Sequence, residues 1–181
     1  MIKLNVIARV DKDKNSFGDL LYALHQLKQE QITQVNILFV GPIGNESLYF
    51  ETLALAQHLG ISSNISFTKK AILIDDLSED IKSGYFVNFT IADFMGYSAL
   101  EAIKNNLKAI FYNADSQYIE SIKDKPINLC ADLKEFISLI KRLISEKPAV
   151  DAEIIKSNER LKDTFRLSNN DKRTLLSFIK P

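Results

Sequence analysis

The sequence has one cysteine, no tryptophan, two histidines, four prolines and six glycines among 181 residues, and its 23 basic side chains are balanced by 23 acidic ones. Each shortage narrows what the chain can be. Cys130 by itself cannot close an internal disulfide or build a thiolate metal site. Two histidines, His25 and His58, have no Ser or Cys placed to suggest a nucleophilic triad, and a structural role suits each. A formal net charge of zero argues against binding nucleic acid mainly through phosphate neutralisation, which calls for a basic excess. No run approaches the eighteen or so apolar residues of a membrane span. The first residues read as a strand and lack the zones of a signal peptide, so a cytoplasmic protein is expected.

What remains is 46% apolar residues arranged in alternating short runs and helical periods. At roughly 100–200 residues per domain the chain holds one domain with a helical appendage. Strands are expected at 2–8, 35–40, 64–67, 85–89, 108–112 and 127–130, and helices from Ser16, from Glu46 to Leu59, from Leu77 to Lys82 and from Tyr97 to Asn105. Phe17, Leu20, Leu21, Leu24 and Leu27 make the apolar face of the first helix. Gly60 suits the position just past a helix end. Strands alternating with helices predict right-handed crossovers and a mostly parallel sheet of five or six strands, a doubly wound α/β domain. The composition shifts at Pro148. We therefore expect a Rossmann-like domain over 1–147 and a helical extension over 148–181 carrying Val150, Ile154, Ile155 and Leu161, then Leu175, Leu176 and Ile179.

Open parallel sheets bind ligands at the carboxyl ends of their strands. That rule selects the loops beginning at Arg9, Gly41, Thr68 and Thr90. The first carries Arg9, Lys12 and Lys14. The fourth, from Ala92 to Glu101, turns through Gly96 into a helix, and the amides of a helix's first turn attract anions. Cations on one loop and free amides on another describe a phosphate or diphosphate pocket. From spacing alone, solvated turn lysines and simple turn chemistry at Gly96 explain the pattern equally well. Asp11-Lys12-Asp13 imitates an Asp-x-Asp metal motif, but its acids stand among lysines that would repel a cation. Neither a dinucleotide fingerprint nor a Gly-x-x-x-x-Gly-Lys phosphate loop occurs.

The order of these loops resembles the C-terminal, nucleotide-sugar-binding domain of GT-B glycosyltransferases, in particular the retaining "glycosyl transferases group 1" family. Ala8-Arg9 and Lys14-Asn15 precede the helix containing Asp19-Leu20-Leu21, as a Gly-Arg and a Lys-Gly do in that family. Val40-Gly41-Pro42-Ile43-Gly44 stands where the family has Val-Gly-Asp-Gly, and His58-Leu59-Gly60-Ile61 matches its Leu-Gly-Leu turn. Asp93-Phe94-Met95-Gly96-Tyr97 runs into Leu100-Glu101-Ala102, reproducing a carboxylate pair eight residues apart. Asp93 replaces Glu, and Phe94 replaces Gly.

The resemblance implies a division of labour. Arg9 and Lys14 hold the donor diphosphate, Asp93 contacts the transferred sugar, and the amides at Gly96, Tyr97 and Ser98 add anion binding. Glu101 accepts from the ribose hydroxyls, while Thr68 and Lys69 lie near the base with Gly41 leaving room beside it. It further implies a UDP- or GDP-sugar donor, no metal cofactor, hexosyl transfer, and a role in bacterial surface polysaccharide or glycoconjugate synthesis. The acceptor would sit on an N-terminal domain that this sequence does not include, so the chain alone is expected to be inactive. Such a chain is an excised domain, a split subunit needing a partner chain, or a degenerate homologue. Membrane contact, if any, would come through the absent domain at the inner face. The alternative of a different class is a non-catalytic nucleotide-binding or assembly module.

Overall fold

Six strands carry the molecule: β1 Ile2–Ile7, β2 Val35–Pro42, β3 Ile65–Lys69, β4 Tyr85–Phe89, β5 Lys108–Tyr112 and β6 Leu129–Cys130. The helices are α1 Phe17–Gln29, α2 Glu46–His58, α3 Glu79–Lys82, α4 Tyr97–Lys104, α5 Leu133–Ser145 and α6 Lys147–Thr164. The computed structural model describes residues 1–11, 17–89, 97–112 and 125–164. All pairings are parallel and the strand order is β3-β2-β1-β4-β5-β6. The expected doubly wound sheet is therefore present, with six strands. Its order reverses between β1 and β4, the switch point at whose carboxyl ends open parallel sheets place their ligands.

Strand alternation feeds two cores. Ile2, Leu4 and Val6 of β1 and Val35, Ile37 and Phe39 of β2 join α1 and α5 in one cluster. Ala109 and Phe111 of β5 join Ala99, Ala102 and Ile103 of α4 in the other, while Ile110 and Tyr112 face the first. The continuous apolar run in β5 is thus buried on both sides, as parallel strands covered by helices must be. In α1 all five predicted apolar positions are buried, with Ala23 beside them. Gly60 takes φ +70° just after α2, the left-handed conformation that closes the helix.

Several elements differ from expectation for local reasons. β2 runs two residues further, to Pro42, because β1's continuation pairs with it: the Val10 amide donates to the Pro42 carbonyl at 3.0 Å. The helix expected from Leu77 starts only at Glu79, since Ser78 is extended and its hydroxyl caps the Ile81 amide. The sequence reading omits α5 altogether. Its signals are nevertheless present: Asp132 accepts from the Glu135 amide at 2.8 Å, Glu135 accepts from the Ala131 amide at 2.8 Å, and Phe136, Ile137, Leu139, Ile140 and Leu143 are buried at helical spacing.

Three of the four apolar residues read at 150–161 pack on this domain's own cores. Val150 and Ile154 are fully buried in the first cluster and Leu161 lies in the second; only Ile155 is exposed. Pro148 sits in the first turn of α6, where its missing amide costs nothing. Residues 165–181, with Leu175, Leu176 and Ile179, lie outside the described residues. A polar clasp holds α6 to the sheet. Asn158 donates to the Leu107 carbonyl at 3.0 Å and accepts from Asn128, which also donates to the Ala109 carbonyl at 2.9 Å; Ser157 donates to Asn128. At the start of α6, Asp151 accepts from Tyr85 Oη at 2.6 Å and from Lys147 Nζ at 2.8 Å, with Lys108 Nζ 3.6 Å away. Burial, then the bond to Asp151, push the Tyr85 hydroxyl up to about 12.

Asn158→Ala removes the side-chain partner of the Leu107 carbonyl and one of the two acceptors of the buried Asn128 amide, so it should cost about 1–3 kcal/mol. Urea denaturation of the variant against the parent chain measures that loss. A change under a few tenths of a kcal/mol would show that α6 is not held by the clasp.

Candidate functional site at the carboxyl edge of the sheet

The chain leaving β1 does not turn away at once. Ala8 N–H donates to the Val40 carbonyl at 3.1 Å and Val10 pairs in parallel with Ile43. The Val10 carbonyl then accepts from the amides of Gly44 and Asn45, at 3.0 and 2.9 Å, and the Val10 side chain is fully buried. Arg9 stands between two anchored residues. Its backbone is fixed on the rim of the crevice while its side chain remains more than half exposed.

Two glycines make this possible, and neither is needed for backbone conformation, since neither has positive φ. A Cβ at Gly41 would lie 2.1 Å from the Ala8 carbonyl oxygen. The glycine is required by strand contact before any ligand is considered. A Cβ at Gly44 would lie 2.8 Å from Arg9 Cδ, 2.9 Å from Arg9 Cγ and 2.8 Å from Asp11 Oδ2. Arg9 and Asp11 therefore drape over Gly44, joined by an ion pair of 2.9 Å through Nε. Immediately after, Asn45 caps α2 by accepting from the Leu48 amide at 2.9 Å, which places the positive end of that helix dipole beside the pair.

Thr68 and Lys69 close the β3 side. Gly41 N–H donates to Thr68 Oγ1 at 3.1 Å, and the hydroxyl donates onward to the Lys70 carbonyl at 3.0 Å. Lys69 adopts φ +57°, a left-handed conformation that a non-glycine residue takes only when held there. Its Nζ lies 5.0 Å from the centroid of the Tyr49 ring, a cation–π contact. Beneath the whole edge runs a row of rings, Tyr49–Phe67–Phe39–Phe17–Phe89–Tyr112–Phe136, with successive centroids 4.7–6.2 Å apart. At the far side Tyr112 Oη donates to Asp19 Oδ2 at 3.0 Å, tying β5 to the first turn of α1. Burial and this carboxylate together raise the Tyr112 hydroxyl well above its usual range.

On the β4 side of the switch point, α4 carries Ser98 in its first turn and Glu101 one turn later. Ala99 and Ala102, each the residue after one of these, are fully buried and seat the helix in the second core. The Glu101 side chain is exposed, and among the described residues its carboxylate has no partner. The structure thus brings Arg9, Gly41, Thr68 and Lys69 onto one rim and sets Ser98 and Glu101 on the helix that follows β4. Lys14, Asp93 and Gly96 lie outside the described residues, as does the Tyr97 side chain. Sequence reasoning misses Gly44, Asp19, Tyr112 and the pairing of Asp11 with Arg9. Gly44 carried a readable signal, a glycine one residue before a helix cap; the other contacts are tertiary.

Among the described residues no three His, Cys, Asp or Glu side chains cluster as metal ligands would. Cys130 is buried, its thiol pushed up to about 12 mainly by burial. That is the inert state of a small apolar residue. His25 Nδ1 lies 3.0 Å from the Leu59 carbonyl, a structural contact.

No protein-family profile matches the sequence, and no curated protein matches it in sequence. Solved structures do match in fold. A glycosyltransferase from Rickettsia africae superposes with a TM-score of 0.71 at 16% identity, over 98% of this chain and 47% of that one. The Anabaena protein HepE, solved in complex with UDP and glucose, gives 0.72 at 16% identity, over 98% and 48%. The C-terminal domain of a glycosyl transferase group 1 family protein from Francisella tularensis gives 0.62 at 19% identity, over 91% of this chain and 85% of that domain. The chain has the fold of that C-terminal glycosyltransferase domain, and it spans about half the length of the Rickettsia and Anabaena proteins.

Gly41→Ala and Gly44→Ala should separate by mechanism. The first drives a Cβ into fixed backbone and should destabilise the fold by about 2–4 kcal/mol, in the range of severe single substitutions. The second meets only side-chain atoms and should cost under about 1 kcal/mol while displacing Arg9. Thermal melts of the two variants check the order; equal losses would contradict it.

Proposed function

We propose that the chain is the donor-binding half of a retaining glycosyltransferase that takes a nucleotide-diphosphate sugar without a metal. The observation that carries this is the placement of a rim-fixed cation, Arg9, on the β1 side of the switch point, with the α4 first turn and Glu101 on the β4 side. A diphosphate spanning that crevice meets positive charge on one wall and helix amides on the other. Fixed donors aimed where charge develops on a leaving group are a large catalytic contribution and need no reorganisation. Lys14 would add a second cation, Asp93 would contact the sugar, and the amides of Gly96, Tyr97 and Ser98 would complete the anion site. Glu101, exposed and without a side-chain partner among the described residues, suits two ribose hydroxyls. Thr68 and Lys69, locked beside Gly41, would border the base.

The bound UDP and glucose of HepE support a UDP-sugar as the first donor to try, with GDP-sugars next. The acceptor would lie on a further domain or partner chain, since the chain spans about half of two of the enzymes it resembles in fold. On this reading the isolated chain binds donor but does not transfer it. Synthesis of a bacterial surface polysaccharide or glycoconjugate, in the cytoplasm or at the inner face of the membrane, is the setting that suits such a reaction. A non-catalytic nucleotide-binding module is the second reading, favoured by Asp93-Phe94 in place of the usual Glu-Gly.

Calorimetric titration with UDP, GDP and their glucose conjugates, with and without Mg²⁺, tests the proposal. We expect one nucleotide diphosphate to bind without Mg²⁺. Glu101→Ala, Lys14→Ala and Arg9→Ala should each weaken it about tenfold, the loss of roughly one charge-assisted hydrogen bond. No binding of any of them at about millimolar concentration, where even weak specific complexes register, would overturn it.

A further inference from the structure

We infer that Asp11 is a built-in counter-ion of the anion site. It holds Arg9 in place when the site is empty, and an incoming diphosphate has to displace it. The inference deepens the donor-site proposal and rests on its assignment of Arg9.

Three observations carry it. The Arg9–Asp11 pair is made by residues two apart on a segment whose backbone is locked to β2 at Ala8 and Val10. Arg9 lies between the two anchored residues and Asp11 directly follows the second. Both lie over Gly44, where a Cβ would collide with Arg9 Cγ and Cδ and with Asp11 Oδ2, so the chain leaves space for this pair in particular. The pair also stands at the capped start of α2, where the dipole is positive. A bare guanidinium there would be repelled by the helix end, and an anion is favoured. Asp11 supplies that anion from within the chain.

A diphosphate offers the same rim more negative charge and more acceptor oxygens than one carboxylate, so it can replace Asp11 at Arg9. The carboxylate, three-quarters buried at 26% exposure, then faces the phosphates as a like charge. Asp11 thereby lowers the site's affinity for every anion and favours ligands that bring two phosphates over those that bring one. It also gives the Asp-x-Asp imitation a role other than metal binding.

The test measures affinity for UDP, GDP, inorganic pyrophosphate and uridine in the parent chain, Asp11→Asn and Asp11→Glu. Circular dichroism and melting temperature confirm folding, with Asp11→Ala as a second neutral variant. We expect Asp11→Asn to bind pyrophosphate and the nucleoside diphosphate about fivefold tighter at ~50 mM salt, the upper range for a partly exposed pair. The gain should shrink towards nothing at ~500 mM as screening grows. Asp11→Glu should gain less than half of that, and uridine should be unaffected. If both neutral variants bind every anion equally well or more weakly than the parent, or if uridine gains as much as UDP, the inference is overturned. The two proposals fail separately. Tighter pyrophosphate binding with no nucleotide binding sinks the donor reading and keeps the counter-ion. Nucleotide binding that depends on Arg9 but ignores Asp11 sinks the counter-ion and keeps the donor reading.

Discussion

The close approach of the Ala8 carbonyl to Gly41 is the constraint on which the rest of the site depends. It lets the chain leaving β1 stay paired with β2 as far as Ile43, and so keeps Arg9 on the rim instead of on a free loop. The same approach brings the Gly41 amide within reach of Thr68, which locks the turn holding Lys69. It also delivers Gly44 beneath the Arg9 side chain and Asn45 to the cap of α2. One missing Cβ thus fixes three strand ends at once. Charged groups that are to act on a ligand work best from rigid elements, and here backbone hydrogen bonds hold the chain around Arg9.

The two sides of the sheet divide the remaining work. On one side the row of rings from Tyr49 to Phe136 passes under the carboxyl edge. Each contact of this kind contributes roughly 0.5–1.5 kcal/mol beyond burial, so the floor of the crevice resists deformation. On the other side α4 carries Ser98 and Glu101, pinned by two alanines with no side chain to spare. α6 contributes to both cores, and its clasp through Asn128, Ser157 and Asn158 saturates the backbone carbonyls of Leu107 and Ala109. That clasp makes α6 part of the sheet's own packing, which is why Val150 and Ile154 offer nothing to a neighbour.

Much of the fold was legible because periodicity is a local property. The bounds of β4 and β5 fall where the apolar runs begin and end, and the buried face of α1 follows from five residues at helical spacing. α5 is equally legible, with an acid cap at Asp132 and five apolar positions at helical spacing. The site was legible only as a set of loops. The rule of strand ends selected Arg9, Gly41, Thr68 and the start of α4 without any tertiary information. The reason for each residue was not visible there. Gly41 and Gly44 look alike in a turn motif, yet one faces backbone and the other an ion pair. Asp11 reads only as part of an Asp-x-Asp imitation among lysines, and its ion pair with Arg9 is a tertiary contact.

Amide chemical-shift perturbation by a nucleoside diphosphate tests the central claim most directly, because it locates binding without presuming activity. On titration with UDP or GDP, the account predicts shifts concentrated at Arg9, Gly41 to Asn45, Thr68 and the first turn of α4. Residues at the amino edge of the sheet, such as Lys3 and Lys108 at strand starts and Asp80 of α3 beside Lys3, should stay unmoved. Saturable shifts centred on those amino ends, with the carboxyl edge unchanged, would contradict it.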